Sequence, residues 1–378
     1  MAPPLIALTL AAVIAAATMF GVTYGLSAPL IALDLAQRGF DETLIGLNAA
    51  MHAVGVLIVA PVLPRLAARF GQRPVIVTAL LASAGLMASF PLVALTLLWF
   101  PLRAALGAAS EALFTLTETW TNELSPEDAR GRIMAAYTAA LSLGYAAGPA
   151  LLAWLGSGDR AYFAGAALAL VAVVPLLRRR LLVPPQEEAP PLEPLRALRL
   201  APLGMAATLL NAAVETSGLS FITLYATNMG WSETAGMHLI TTLLVGAIAL
   251  QLPIGWLADR VPARWLVLAL ALLAAAGAWA APLMFAVPWV AFAAVFVWGG
   301  VFVGIYTVML VAVGNRYKGA ELIEIYAVMG LAWGAGALVG PSAAGVAMAW
   351  SPTEGFTTMI ALACAGFALM VLGSRSTV

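Results

Sequence analysis

PRLAARFGQR (residues 64–73) and GWLADRVPAR (residues 255–264) are two versions of one short basic stretch, and this repeat decides the fold. The copies lie 191 positions apart in a chain of 378 residues, so each holds the same place in one half of the chain. Each copy also separates two long apolar stretches. A repeat of about half a chain is typical of membrane proteins built from two related halves around a central site.

Composition indicates a protein that folds in a lipid bilayer. The chain is 63% hydrophobic and 10% charged, and its mean hydropathy is +0.98; a soluble domain cannot bury so much apolar surface. Basic and acidic residues balance at 18 each, which gives no basic surface for nucleic acid. Cys364 is the one cysteine, which excludes a disulfide framework and a multi-cysteine metal site. We predict no cofactor and no metal site.

The sequence contains twelve apolar segments long enough to cross a bilayer. The first continues far past the length of a signal peptide, so we interpret it as a retained helix. The predicted fold is an all-α membrane protein with twelve transmembrane helices in two pseudo-symmetric six-helix bundles. The spans are expected near 5–33, 43–63, 75–94, 96–121, 133–155, 161–182, 200–227, 236–257, 264–286, 288–312, 321–348 and 353–373.

The distribution of basic residues predicts which loops face the cytoplasm, because cytoplasmic loops are rich in Lys and Arg. If both termini are cytoplasmic, only Arg38 and Arg160 lie in outer loops, and Arg103 lies within a span. The remaining basic residues are then cytoplasmic: Arg65, Arg69, Arg73, Arg130, Arg132, Arg178, Arg179, Arg180, Arg196, Arg199, Arg260, Arg264, Arg316, Lys318 and Arg375.

One sizeable linker divides the two halves. PPQEEAPPLEPLR (residues 184–196) is rich in proline and charge, so we expect it to be extended. We predict an N-terminal six-helix bundle over 1–183, a cytoplasmic linker over 184–199 and a C-terminal six-helix bundle over 200–378. Self-comparison supports this division, because residues 39–73 match residues 230–264 at nine of 35 positions without a gap.

The second copy of the repeat resembles the signature loop of the major facilitator superfamily, G-x-L-A-D-R-x-G-R-K, which lies between helices two and three. Pro262 replaces the second glycine of that pattern. In the first copy Pro64 replaces the first glycine and Ala68 replaces the aspartate. The matching residues are Gly255, Leu257, Ala258, Asp259 and Arg260 in the second copy and Leu66, Ala67, Arg69, Gly71 and Arg73 in the first.

Further motifs extend the resemblance over most of the chain. RAALG (103–107) is similar to the fourth-helix arginine motif of the superfamily, and GYAAGP (144–149) is similar to a fifth-helix motif of proton-linked exporters. TETWTNE (117–123) and GNRYKGAEL (314–322) resemble a short bacterial twelve-helix subgroup, the YcaD-like proteins, related to members linked to riboflavin or copper uptake. The resemblance implies a transporter and not an enzyme.

The repeated stretch predicts a cytoplasmic gate, because arginine is attracted to the partial negative charge of helix C-termini. We expect Glu123 to pair with Arg69 or Arg73, and Asp259 to accept hydrogen bonds from helix N-termini. The alternative is that these arginines only set the topology. The predicted gate residues are Asp259, Arg260, Arg69, Arg73, Glu123 and Arg130.

Charged residues within spans predict the functional centre, because an ionisable group inside a membrane is costly. Glu215 has no basic residue near it in the sequence, so we expect it to face a cavity and to bind and release a proton. Arg103 and Glu111 lie two turns apart on span four and are expected to take part in proton coupling. The alternatives are a hydrogen-bonded structural carboxyl for Glu215 and a fixed ion pair for Arg103.

Polar and aromatic residues predict the substrate cavity. Asn211, Glu215 and Tyr225 share one face of span seven with Gly218 and Ile222, and we expect that face to line the space between the halves. The predicted cavity residues are Asn211, Tyr24, Tyr137, Tyr145, Tyr225, Gln251, Tyr306 and Trp333.

His52 and His238 are weaker candidates, because a lone histidine on an apolar helix is usually a hydrogen-bonded core residue. Met51 beside His52, and Met237 beside His238, suit Cu(I) chemically. However, residues adjacent in sequence do not share a helix face.

These patterns predict a proton-coupled secondary transporter that moves a small molecule across the bacterial inner membrane by alternating access. Its expected partners are that small molecule, protons and the lipid bilayer, and we expect a monomer. Substrate and direction stay open between drug or metabolite efflux and vitamin-like uptake. The alternatives are a copper importer and a non-transporting membrane receptor, whereas no set of nucleophile, base or metal ligands indicates an enzyme.

Overall fold

A computed structural model describes residues 3–126, 129–177, 181–182, 194–317 and 319–374 of the chain. Most of the predicted linker lies outside these ranges, and so do several of the basic residues used to predict topology, namely Arg178, Arg179, Arg180, Lys318 and Arg375. The described residues form fifteen α-helices and one short 3-10 helix. The protein is therefore all-α over these ranges, as the twelve apolar segments predict.

The chain divides into two compact units. Unit 1 comprises Met1–Arg38 and Met51–Ala189. It differs from the predicted N-terminal bundle at residues 39–50, which group with unit 2. The helices that lie wholly or partly in unit 1 are α1 (Pro3–Gln37), α2 (Glu42–Val59), α3 (Leu63–Phe70), α4 (Gln72–Ser89), the 3-10 helix Thr96–Leu98, α5 (Trp99–Leu124), α6 (Arg130–Leu155) and α7 (Asp159–Leu176).

Unit 2 comprises Gly39–Ala50 and Pro190–Val378. Its first complete helix is short and precedes seven longer ones. The helices are α8 (Pro194–Leu200), α9 (Pro202–Asn228), α10 (Glu233–Ala249), α11 (Gln251–Ala258), α12 (Ala263–Met284), α13 (Pro288–Arg316), α14 (Gly319–Trp350) and α15 (Gly355–Gly373).

The described helices identify a multi-pass membrane protein. Eleven of its segments are long and apolar enough to cross a bilayer, and the pair α3–α4 makes a twelfth if it counts as one bent span. The two helices of that pair meet at an angle of 116°. The prediction of twelve spans thus holds if α3 and α4 are counted together.

The two copies of the repeated stretch are largely helical, although the sequence indicated loops. In the first copy, α3 buries Leu63 and Ala67 and exposes Arg65 and Arg69. This 3–4 spacing of apolar and charged residues makes a short amphipathic helix. Gly71, with φ of 86°, ends it; the left-handed conformation suits glycine because glycine has no Cβ.

In the second copy, α11 extends to Ala258, and only residues 259–262 form a turn before α12. Pro262 occupies the N-cap of α12, just before the first turn of that helix. A proline there gives up no hydrogen bond, because the amide groups at a helix N-terminus have no partner within the helix. The substitution of proline for the glycine of the superfamily pattern therefore fits the observed turn.

The repeat in the sequence is also a repeat of helix packing. A Cβ on Gly55 would collide with the carbonyl oxygen of Ala104, and a Cβ on Gly246 would collide with that of Phe296. Gly107 likewise lies against His52, and Gly299 lies against Leu243. These contacts recur at offsets of 191 and 192 residues, so equivalent positions in the two units are known from structure as well as from sequence.

Candidate functional site

Arg103 is the central residue of a buried polar cluster in unit 1. Its side chain lies on α5, one turn before Gly107, and is 3% exposed. Neither Nε nor Nη1 has a hydrogen-bond partner. Ion pairs in the described part of the chain join Arg38 to Asp34, and Arg196 to Glu321 and Glu324. No ion pair of Arg103 with a described carboxylate is formed. Arg103 is thus a buried cation without a protein counter-ion among these residues.

His52 lies next to Arg103 in this cluster. The missing side chain of Gly107 allows α5 to touch the backbone of His52, one turn from Arg103. His52 is 5% exposed, and its Nδ1 has no hydrogen-bond partner. The sequence analysis makes His52 a weak candidate, whereas the structure places it at the helix contact one turn from Arg103. His238, by contrast, is exposed.

Aromatic rings surround one side of the cluster. The ring of Tyr24 lies 5.0 Å from that of His52 and 5.5 Å from that of Tyr145, and Phe20 packs against both tyrosines. Arg103 also interacts electrostatically with Tyr24. Two of the predicted cavity residues, Tyr24 and Tyr145, therefore lie in the group of side chains around Arg103.

Tyr137 is a packing residue inside unit 1. It is 1% exposed, its hydroxyl lies 3.1 Å from Oγ1 of Thr117, and it also donates to the carbonyl oxygen of Phe114 at 3.4 Å. A side chain held in this way has little capacity left for a ligand.

Glu111 lies two turns after Arg103 on α5 and is half-buried. Its Oε1 accepts a 2.7 Å hydrogen bond from Oγ1 of Thr115. No described ion pair joins Glu111 to Arg103, so the alternative of a fixed ion pair is not formed in this structure.

Glu215 is half-buried in α9 of unit 2. Nδ2 of Asn211, one turn earlier, donates a 3.2 Å hydrogen bond to Oε2 of Glu215. Oδ1 of Asn211 is buried without a partner, and no described cation forms an ion pair with the carboxyl group. The two residues form a small polar site on the same helix face, as the spacing predicts.

The next turns of the same face border an apolar cavity inside unit 2. The cavity has a volume of about 260 Å³, and Gly218, Ile222 and Tyr225 line it together with Leu243 and Val295. The hydroxyl of Tyr225 is buried without a hydrogen-bond partner. Tyr225 therefore lines a cavity whose lining residues all belong to unit 2. A role for this helix face in the substrate site stays a prediction.

The remaining predicted cavity residues do not join either group. Gln251 is hydrogen-bonded at both ends, because Thr307 donates to its Oε1 at 2.6 Å and its Nε2 donates to the carbonyl of Ala247 at 2.9 Å. Tyr306 packs against the buried cluster formed by α8, α9, α13 and α14, and Trp333 is half-buried in α14.

The predicted gate residues make contacts other than the expected ones. Nε2 of Gln72 donates to Oε2 of Glu123 at 3.1 Å, and neither Arg69 nor Arg73 forms an ion pair with that carboxylate. Gln72 takes the place expected for an arginine because the chain bends at Gly71, so that α4 begins at Gln72. The guanidinium of Arg69 lies 5.2 Å from the ring of Phe70.

In the second copy, Arg260 binds within its own turn. Its Nη1 donates to the carbonyl of Trp256 at 3.0 Å, and its guanidinium lies 4.0 Å from the Trp256 ring. Asp259 and Arg130 are exposed, and neither makes a hydrogen bond or ion pair to another described side chain. A gating role for these residues stays a prediction.

TETWTNE (117–123) and GNRYKGAEL (314–322), the two stretches that resemble a bacterial subgroup, each form hydrogen bonds that hold helix ends together. In TETWTNE, Nε1 of Trp120 donates to the carbonyl of Leu182 at 2.8 Å, and the amide of Leu182 donates to Thr9 at 3.2 Å. In GNRYKGAEL, the hydroxyl of Tyr317 donates to the carbonyl of Leu200 at 2.6 Å. These bonds tie the residues after α7 to α1 and α5, and they tie α8 to α13.

Arg196 of α8 adds two ion pairs that sequence reasoning missed. Its Nη1 and Nη2 lie 3.3 Å and 3.5 Å from the carboxylates of Glu324 and Glu321 on α14. No local pattern predicts these ion pairs, because 125 or more residues separate the partners and Arg196 was interpreted as a topology residue of the linker.

The family model of the major facilitator superfamily matches residues 8–240 and, in a second overlapping match, residues 203–377. The chain belongs to the major facilitator superfamily. This superfamily consists of membrane transporters and not of enzymes, which agrees with the resemblance carried by residues 255–264. The second match begins at the start of α9, close to residue 200, where the predicted C-terminal bundle begins.

One relative in the superfamily and several solved structures are similar to this chain. An uncharacterized transporter of the same type, YfkF of Bacillus subtilis (strain 168), is 25% identical over 249 residues, which is 64% of this chain and 63% of that protein. The chain thus aligns with less than two thirds of the length of this relative.

The solved structures show the fold. The nucleoside transporter NupG matches with a TM-score of 0.79 at 15% identity, over 96% of this chain and 98% of NupG. A bacterial homologue of the human lysosomal transporter Spinster matches with a TM-score of 0.80 at 14% identity, over 98% and 96%. The D-xylose–proton symporter matches with a TM-score of 0.77 at 16% identity, over 98% of both chains.

Proposed function

We propose that this chain is a proton-coupled secondary transporter that carries a small molecule across the bacterial inner membrane by alternating access. The observation that carries the proposal is Glu215, a carboxylate within a membrane-spanning helix that has one amide partner and no described counter-ion. We also place the chain in the short bacterial subgroup that its two motif stretches resemble, with both termini cytoplasmic.

The surroundings of Glu215 suit reversible protonation. An uncompensated carboxylate inside a membrane is costly, so the neutral form is favoured whenever water is excluded. Access to water on either side of the membrane favours ionisation, and the amide of Asn211 then stabilises the charged form. A group that gains and loses a proton as its exposure changes couples substrate movement to a proton gradient.

We expect Glu215→Gln to abolish accumulation driven by a pH gradient while leaving exchange intact, because glutamine keeps the hydrogen bond to Asn211 but carries no proton. A thermal-shift screen of the purified protein against vitamins, drugs and metal ions selects a radiolabelled compound. Its uptake into proteoliposomes is then measured with and without an imposed pH gradient, and its counterflow is measured at equal pH on both sides.

Glu354→Gln is the matched control, because Glu354 is an exposed carboxylate just before α15 and should transport like the wild type. Accumulation by Glu215→Gln with unchanged dependence on the pH gradient contradicts the role of Glu215. Binding of a compound without any counterflow in the wild type contradicts transport itself and supports a receptor.

The proposed orientation predicts a labelling pattern. In a Cys364→Ala background, Arg160→Cys should react with a membrane-impermeant maleimide in intact cells, because Arg160 is exposed and lies in a predicted outer loop. Arg69→Cys, which is equally exposed on α3, should react only after permeabilisation. Labelling of Arg69→Cys in intact cells would contradict the proposed orientation and place α3 on the outer side of the membrane.

A further inference from the structure

The unit 1 cluster contains a positive charge that the protein does not neutralise. Arg103 is 3% exposed, and its Nε and Nη1 groups make no hydrogen bond. An unpaired charge in a medium of low dielectric costs several kcal/mol even after relaxation. An ionisable group kept inside a membrane at that cost marks a functional site by default.

The acidic side chains nearest in sequence and on the neighbouring helix already have partners. Oδ1 of Asp34 lies 2.8 Å from Nε of Arg38, and Oδ2 of Asp34 accepts from the hydroxyl of Tyr162 at 3.2 Å. Glu111 accepts from Thr115. Neither carboxylate forms an ion pair with Arg103.

A second unsatisfied group lies at the same helix contact. Nδ1 of His52 is buried without a partner, and the backbone of His52 lies against Gly107, one turn from Arg103 on α5. A neutral imidazole protonated at Nδ1 presents a hydrogen-bond donor. Together with the N–H groups on Nε and Nη1 of Arg103, this makes a set of donors with no acceptor among the described residues.

The repeat shows that these residues are not required by the packing. By the glycine contacts described above, Arg103 corresponds to Val295 and His52 corresponds to Leu243. Both Val295 and Leu243 line the apolar cavity of unit 2. The same helix crossing is therefore built with apolar residues in unit 2, and in unit 1 a cation and an imidazole replace them.

We propose that Arg103 and His52 bind the carboxylate of the transported molecule, which makes the substrate class a small organic monoanion. The inference rests on the proposed transport function and deepens it. A guanidinium and a carboxylate form charge-assisted hydrogen bonds that are stronger than neutral ones. The single formal charge on Arg103 matches a monoanion better than a phosphate group, which carries about −1.5 to −2.

The test compares organic acids with their uncharged amides. Benzoate with benzamide, nicotinate with nicotinamide and hexanoate with hexanamide are added to the purified full-length protein at constant ionic strength, and the unfolding temperature is measured. We expect at least one acid to raise the unfolding temperature while its amide does not. Arg103→Gln should weaken binding of that acid by about tenfold or more.

Further variants separate binding from folding. Arg103→Lys keeps the charge and should retain part of the response, whereas His52→Phe keeps a ring and should weaken binding. Arg103→Met, measured without ligand, should unfold at the wild-type temperature or higher, because it removes an unpaired buried charge. Arg264→Gln is the control; Arg264 donates to the carbonyl of Leu372 on α15, and this variant should respond to the acid like the wild type.

Three results would overturn the inference: no acid in the panel distinguished from its amide, an Arg103→Gln variant that binds the acid as tightly as the wild type, or an Arg103→Met variant that is less stable without ligand. The outcomes that reject carboxylate binding at Arg103 differ from those that reject proton-coupled transport. Carboxylate binding that is lost in Arg103→Gln, together with unchanged pH dependence in Glu215→Gln, rejects only the coupling role of Glu215. Proton-driven uptake of a neutral compound, without carboxylate binding, rejects only the inference.

Discussion

Gly55→Ala is expected to lower the free energy of unfolding by about 1–3 kcal/mol, the usual cost of overpacking a closely packed site. A Cβ at this position would collide with the carbonyl oxygen of Ala104 and approach the amide nitrogen of Ala108 at 2.7 Å. Both atoms belong to the backbone of α5, so no side chain can move aside, and α2 must separate from α5. Because the repeat places Gly246 against Phe296 in the same way, Gly246→Ala should have a similar effect.

The buried thiol of Cys364 provides the measurement, because a fluorogenic maleimide reacts with it only when the protein unfolds. Cys364 is 0% exposed. Gly85→Ala is the matched control: Gly85 also lies in a helix of unit 1, but a Cβ there meets no atom within 4 Å. It should be neutral or stabilising by up to about 1 kcal/mol, since alanine favours the helix over glycine. Equal unfolding temperatures for Gly55→Ala and Gly85→Ala would refute the packing argument.

The sequence predicted the helical membrane fold because hydropathy depends on composition within short windows. The span boundaries were also close, since α10 begins at Glu233 and α15 ends at Gly373. The short helix α3 was missed because a repeated basic motif was interpreted as a loop, although its apolar residues follow helical spacing. Glycines shared by the two copies proved informative, because they mark places where two helix backbones touch.

The charged residues within the spans could be identified from the sequence, but their pairing could not. Arg103 and Glu111 lie two turns apart, and nothing local shows that Thr115 binds the carboxylate while Arg103 stays unpaired. Likewise, Glu123 binds Gln72 because a bend at Gly71 changes the direction of the chain. Partners of this kind depend on residues brought together by folding.

The position of His52 shows what the repeat adds to such reasoning. A lone histidine in an apolar helix carries little information by itself. At the equivalent place the second half has Leu243, which lines an apolar cavity. The comparison of the two halves therefore distinguishes residues that the packing requires from residues that one half alone has acquired.

Trp120→Ala should be among the most destabilising single substitutions in unit 1, with a loss of about 3–5 kcal/mol. The indole is 0% exposed and donates to the carbonyl of Leu182 at 2.8 Å. Its removal leaves a large void and an unsatisfied carbonyl group, and it frees the segment after α7 from α5. Thermal unfolding followed through Cys364 measures the loss.

Two further variants divide this effect into its parts. Trp120→Phe keeps most of the aromatic contact and loses the hydrogen bond, so it should cost about 1–3 kcal/mol, less than the alanine variant. Trp154→Ala removes an indole that is 81% exposed on α6 and should change stability by no more than about 0.5 kcal/mol. If Trp120→Ala and Trp154→Ala unfold alike, the indole of Trp120 is not what holds Leu182 in place. If Trp120→Phe costs as much as Trp120→Ala, the hydrogen bond and not the ring volume carries the effect, because the phenyl ring still fills most of the site.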